Sequence, residues 1–302
     1  MISIIVCSRN EFLGDEFTQT LKNTIGIEHE IIHIVNSDNK YSICEAYNVG
    51  ITKSKYKYLC LVHDDVRFLS DNWGENIVNH LKAKNIGIIG VAGRDYLTRL
   101  PGVWPNRIAC ANIIQSDNKR LKKPKKRFEP KGFKENKREV IMLDGVFLCM
   151  NRNLFDEIKF DVEIPGFHGY DFDICIQSIV SKHKNYVIYD VLLEHASRGN
   201  PDKLYYNNLI TIFKKWGNQL PLFVNSEKKS TSKKIGKIEK NGLFKLTNKL
   251  IRRDFSKTEI EEIIHHFSLQ IETSNFNYWI IKIYVKFFYL KPNNHTLKFQ
   301  TP

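Results

Sequence analysis

The run Tyr58-Leu59-Cys60-Leu61-Val62 is followed without a break by His63-Asp64-Asp65. A short continuous apolar run rich in strand formers is the pattern of a strand buried on both faces. It ends in two adjacent carboxylates, which repel each other and resist desolvation unless something positive lies beside them. A divalent cation held through one or two carboxylates meets that need, as Lys or Arg partners do. An acidic surface turn is the plainer alternative. In an open α/β sheet the exit ends of the strands are also where ligands bind.

The chain on either side of this run alternates between two periods. Ile2–Ser8 reads as a first buried strand, closed by the polar turn Arg9-Asn10-Glu11. Residues 14–25 carry Phe17, Leu21 and Ile25 at helical spacing, Glu30–Val35 reads as a second strand, and a helix over 42–53 buries Ile43, Ala46, Tyr47 and Ile51. Strand, helix, strand, helix, strand with short connections predicts right-handed crossovers and a mostly parallel, Rossmann-like α/β sheet. No GxGxxG follows the first strand, which disfavours a dinucleotide-binding oxidoreductase.

Further on, the spacing predicts a helix over 71–84 and a strand at Ile86–Ala92, then a long irregular segment over about 93–139. Loops of that length in a compact domain are functional or disordered. Glu139–Asn151 reads as a strand or strand pair interrupted at Asp144-Gly145, with a short helix over 152–159. A helix over Asp171–Lys182 and a strand over Tyr186–Leu193, ending at Glu194-His195, follow. Lys203–Trp216 reads as a helix stopped by Gly217. These boundaries predict one domain over 1–217 and a basic helical extension over 218–302. Within the extension, 225–254 is polar and only weakly periodic, and is expected to be mobile. Ser256 and Glu259 fit a capping box before a helix carrying Ile260, Ile263, Ile264 and Phe267. Tyr278–Leu290 is apolar apart from Lys282 and Lys286.

Charge is unevenly spread. Residues 115–139 hold 11 Lys/Arg against 4 Asp/Glu and residues 201–302 hold 18 against 8, which leaves the rest mildly acidic within a net charge of +13. Basic attachments suit an anionic partner, or serve solubility alone. The 115–139 segment has only Phe128 and Phe133 to stack on bases, so no nucleic acid is expected. It reads as a mobile acceptor-side loop or as a disordered excursion. Tyr278–Leu290 suits an anionic membrane surface, the body of the protein, or a homodimer interface. The six cysteines form no CxxC pair, and the chain opens on Met1-Ile2-Ser3-Ile4 with no basic leader. Reduced thiols and a cytoplasmic site, at most peripheral to the inner face of the plasma membrane, are the expectation.

Four blocks acquire meaning together: Ile4-Ile5-Val6-Cys7-Ser8-Arg9-Asn10; Glu45-Ala46-Tyr47-Asn48-Val49-Gly50 leading to His63-Asp64-Asp65; Asp144-Gly145-Val146-Phe147; and Gly169-Tyr170-Asp171-Phe172-Asp173 with His195 downstream. In this order residues 2–200 resemble a nucleotide-sugar glycosyltransferase of the GT-A fold, close to the family 2-like group. That resemblance implies a metal-dependent, inverting transfer from a nucleoside-diphosphate sugar to a glycan or lipid-linked saccharide, as in bacterial surface polysaccharide or lipopolysaccharide synthesis. It places Asp65 and His195 on Mn²⁺ or Mg²⁺, Asp64 beside them, and Asp171 as the base that takes the acceptor proton. Asp144 and Gly145 would meet the donor sugar, with Ser8, Arg9 and Asp38 at the nucleotide. Asp173, His168 and Trp104 are acceptor-side candidates. The first Asp of the family's DxD motif is His63 here, which leaves that carboxylate's usual contacts in doubt. Asp171 opens a helix, where the dipole favours its ionised form. A sugar nucleotidyltransferase and a non-catalytic nucleotide- or glycan-binding subunit are the alternatives; the first lacks its glycine-rich loop over residues 8–14.

Overall fold

The computed structural model describes residues 1–102, 110–116, 126–129, 135–196, 201–224 and 228–290; Trp104 and most of the basic 115–139 segment lie outside them. The strands are β1 Ile2–Ser8, β2 His29–Val35, β3 Tyr58–Val62, β4 Val66–Phe68, β5 Ile86–Gly90, β6 Ala92–Arg94, β7 Tyr96–Leu97 and β8 Cys110–Ala111. They continue with β9 Ile113–Gln115, β10 Lys126–Phe128, β11 Lys137–Val140, β12 Met142–Leu143, β13 Phe147–Asn151, β14 Lys184–Ile188, β15 Leu193–His195 and β16 Leu222–Phe223. The helices are α1 Asp15–Thr24, α2 Ile43–Lys53, α3 Trp73–Leu81, α4 Tyr170–Val180, α5 Lys203–Lys215, α6 Lys228–Ile251, α7 Lys257–Gln270 and α8 Asn275–Leu290.

The large sheet has the order β11-β14-β5-β13-β3-β1-β2. β2, β1 and β3 are parallel, as are β5 and β14, while β13 is inserted antiparallel between β3 and β5, and β11 runs antiparallel at the edge. The insertion matters for the site. An antiparallel β13 brings its amino end, Asp144-Gly145-Val146, to the same edge as the carboxyl ends of β1 and β3. The His63 N–H donates to the Val146 carbonyl there at 3.2 Å.

Below β3, an aromatic stack fixes how the chain leaves the strand. Phe68 lies parallel on Trp73 with ring centres 4.3 Å apart, and Phe147 and Phe17 meet Phe68 edge-on. All four are at most 2% exposed. Each such pair adds roughly 1 kcal/mol to the area it buries. β4 then pairs with β15, and β15 with β9, in a smaller sheet of order β10-β9-β15-β4. The expected strand over Tyr186–Leu193 is thus two strands, β14 in one sheet and β15 in another, broken at Tyr189-Asp190. The irregular 93–139 segment likewise contributes short strands to four sheets.

The chain divides into two compact units: residues 1–97, 104–200 and 222–226, and residues 98–103, 201–221 and 227–302. Helix α5 groups with the second, where Lys203 pairs with Glu259 at 3.0 Å and Arg253 reaches the Pro201 carbonyl. Residues 228–251, expected to be mobile, form helix α6. Its Leu243, Leu246 and Leu250 lie on one face at 3–4 spacing and are at most 2% exposed, a stripe that the flanking lysines mask in sequence. Ser256 and Glu259 close the capping box at the start of α7.

Candidate active site

Three side chains converge at the end of β3. One nitrogen each from His63 and His195 and one Asp65 oxygen lie within 4.8 Å of one another. The ladder dictates this: His195 pairs with Val66 on β4 and with Gln115 on β9, so β15 carries His195 beside the residue that follows Asp65. The Ala196 N–H closes the arrangement on the Asp65 carbonyl at 3.0 Å. His195 Nε2 is 3.3 Å from Asp65 Oδ1.

The two imidazoles are oriented by different neighbours. Gln115 donates its amide N–H groups to the carbonyls of His195 (3.1 Å) and Ser116 (3.2 Å), which turns its Oε1 toward His195 Nδ1 at 3.3 Å. A carbonyl oxygen can only accept, so Nδ1 carries a proton and Nε2 is the nitrogen offered toward Asp65. On the other ring, the Tyr170 hydroxyl gives its single proton to the Gly145 carbonyl at 3.0 Å. It therefore accepts from His63 Nε2 at 2.9 Å, leaving Nδ1 with the lone pair. Burial and repulsion from His195 push the His63 pKa down, so this ring is neutral. Burial opposes charge on His195 as well, but the hydrogen bond and charge of Asp65 outweigh it and raise its pKa.

Asp64 turns the other way. Its Oδ2 accepts from Ser8 Oγ at 2.5 Å, and Ser8 Oγ accepts from the Asn10 N–H at 3.1 Å, tying the ends of β1 and β3 together. The Arg9 guanidinium lies over the Phe167 ring, 5.4 Å from its centre. Asp38 is on the exposed turn after β2 and accepts from the Lys40 N–H at 3.2 Å. The buried organiser of that turn is Asn36, which sequence reading passed over; its amide holds both the carbonyl and the N–H of Tyr41, at 2.9 and 3.0 Å.

Asp171 lies in the first turn of α4. Its oxygens accept from the Phe172 N–H at 3.0 Å and the Gly145 N–H at 3.4 Å. The helix end was expected to favour the ionised carboxylate. Instead, burial, reinforced by the nearby Asp144 charge, outweighs those hydrogen bonds and pushes the pKa up to about 7. Asp144 Oδ1 caps the Val146 N–H at 3.1 Å. Gly145 has a clear structural reason: a Cβ there would lie 2.2 Å from the Tyr170 hydroxyl. Asp173 is buried and accepts from Gln177 at 2.6 Å, one turn along α4. His168 is in the loop before α4.

A family model described as "Glycosyltransferase like family" matches residues 3–198. The chain belongs to this family. Its fold is that of the GT-A glycosyltransferases. The structure of GalNAc-T7 with UDP, GalNAc and Mn²⁺ matches with a TM-score of 0.52 at 11% identity, over 96% of this chain and 58% of that one. This chain thus spans a little over half the length of that relative. The structure of A197 from STIV matches at a TM-score of 0.37 and 14% identity, over 65% of this chain and 86% of that one. No curated protein matches.

In this family member, His63, Asp65 and His195 could together hold a divalent cation. Two imidazoles and one carboxylate suit Mn²⁺, which accepts nitrogen ligands, better than Mg²⁺, which prefers an all-oxygen shell. His63, which the sequence marks only as a departure from the DxD motif, stands in the cluster itself. Its signal was there: a histidine at a buried strand end beside two aspartates. Gln115 and Tyr170 had no such signal.

Proposed function

We propose that this chain is a metal-dependent glycosyltransferase that moves a sugar from a nucleoside-diphosphate donor to an acceptor hydroxyl with inversion at the anomeric carbon. The observation that carries the reading is the link between a ligand cluster and a buried acid: Tyr170 touches His63 and the Gly145 carbonyl, and the next residue, Asp171, accepts from the Gly145 N–H. His63, Asp65 and His195 would hold Mn²⁺, which neutralises the charge that develops on a departing diphosphate. Asp171 supplies the base. As the acceptor oxygen bonds to the anomeric carbon, the bond from that carbon to the diphosphate oxygen breaks, and the acceptor proton passes to the Asp171 carboxylate. A carboxyl titrating near 7 is suited to that exchange at neutral pH. Asp144 and the Gly145 backbone face the donor sugar in this reading, with Ser8 and Arg9 toward the nucleotide. The acceptor we infer is a glycan or lipid-linked saccharide of the kind used in bacterial surface polysaccharide, which rests on family resemblance.

The test is thermal unfolding with UDP, GDP, CDP and dTDP, each with and without Mn²⁺. A ligand at about a hundredfold excess over its Kd adds roughly 2.7 kcal/mol of stability. One nucleotide is expected to raise the midpoint only when Mn²⁺ is present. Nucleotide shifts indifferent to the metal would remove the role given to His63, Asp65 and His195. Metal-dependent binding with neither transfer nor donor hydrolysis, across many acceptors, would favour a binding subunit.

A further inference from the structure

Helix α8 is anchored on one side and bare on the other. Ile281 and Val285 are buried against the second unit, 5% and 0% exposed. Three tyrosines pin that side: Tyr278 to His265 Nδ1 at 3.2 Å, Tyr284 to Asn248 Oδ1 at 2.5 Å, and Tyr289 to the Phe255 carbonyl at 2.5 Å. On the opposite arc are Trp279, Ile280, Phe287 and Leu290, which are 59, 41, 62 and 62% exposed. At 100° per residue these four, with Ile283 among them, fall within about a third of the helix circumference. Lys282 and Lys286, both exposed, border that arc on one side. Exposed Phe244 on α6 meets Tyr284 at 4.9 Å and extends the apolar surface, with exposed Lys245 next to it. The fold therefore holds a row of large apolar groups in water, and fraying does not account for it.

We propose that this face of α8 is a docking surface for an anionic phospholipid bilayer. The composition is that of an interfacial helix: Trp and Phe at headgroup depth, lysines at the edge reaching the phosphates. Among the described residues no helix is long and apolar enough to cross a membrane, so α8 lies on the bilayer and does not span it. Charge complementarity selects the occupant. Residues 201–302 carry 18 Lys/Arg against 8 Asp/Glu, so a second copy would bring like charge to the face, whereas an anionic leaflet brings the opposite.

The experiment is co-sedimentation of the full chain with phosphatidylcholine vesicles and with vesicles that also contain phosphatidylglycerol. Binding is expected only to the anionic vesicles, and it should weaken as salt is added. Trp279→Gln with Phe287→Gln should reduce that binding more than about tenfold, from the apolar area withdrawn. Lys282→Gln and Lys286→Gln should each cost about fivefold. All four side chains are exposed, so the thermal midpoints should match wild type. Equal binding to both vesicle types, or binding unchanged in the variants, would overturn the proposal. A doubling of mass without vesicles that Trp279→Gln with Phe287→Gln abolishes would assign the face to a second copy instead.

Discussion

Asp171 is 8% exposed and its pKa stands near 7 against an ordinary 3.8, so between those values the folded chain binds a proton that the unfolded chain has lost. Stability therefore falls as pH rises through that window, by an amount on the order of a few kcal/mol. Asp171→Asn should raise the thermal midpoint at about pH 8 and leave it almost unchanged near pH 4. The same variant should lose transfer by about 10²-fold or more while still binding nucleotide, and wild-type kcat/KM should decline below about pH 7 as the base is protonated. Retained turnover in Asp171→Asn would remove the base assignment. Gln115 acts one step further out. Gln115→Leu frees the His195 ring to take the other tautomer and should weaken Mn²⁺ binding by about 10- to 100-fold, measured by titration of free Mn²⁺. Gln115→Glu keeps an acceptor toward Nδ1 and should retain most of the affinity.

Among the elements, β13 and α4 are held together through one glycine. Gly145 lies in the turn just before β13 and Tyr170 opens α4, and the space between them admits no methyl group. Gly145→Ala should displace the Tyr170 ring, cost roughly 1–3 kcal/mol in denaturant unfolding, and loosen His63. Tyr170→Phe separates the two effects, because it removes the hydroxyl bonds and keeps the ring. It should lower Mn²⁺ affinity with a smaller change in stability. Elsewhere the elements are specified locally: the Ser256–Glu259 capping box closes as the sequence indicates, and Ser256→Ala should cost about 1 kcal/mol.

Over the whole molecule, the ligand cluster lies entirely within the first compact unit. Mn²⁺ with its nucleotide should slow hydrogen exchange in β3 and β15 and leave the buried amides of α7 in the second unit unchanged. Equal protection in both would show that they unfold together. Most of the net positive charge belongs to the second unit and to the 115–139 segment, so ionic strength should act on association with anionic partners far more than on the Asp171 chemistry.

The sequence by itself determined the strand–helix alternation of residues 2–62, the polar strand end at His63-Asp64-Asp65, and the family blocks around Asp144, Asp171 and His195. Those features are local: apolar period, capping chemistry and short motifs are written in neighbouring residues. Tertiary structure decided the rest. That β13 runs antiparallel between β3 and β5 follows from long-range pairing, which no window of sequence encodes. The pKa of Asp171 depends on burial and on Asp144, 27 positions away, and it reversed the expectation from the helix end alone. Gln115 meets His195 across 80 positions, and Tyr170 meets His63 across 107. Hydrogen bonds of that separation exist only after the sheets are assembled, and they set which nitrogens face the site.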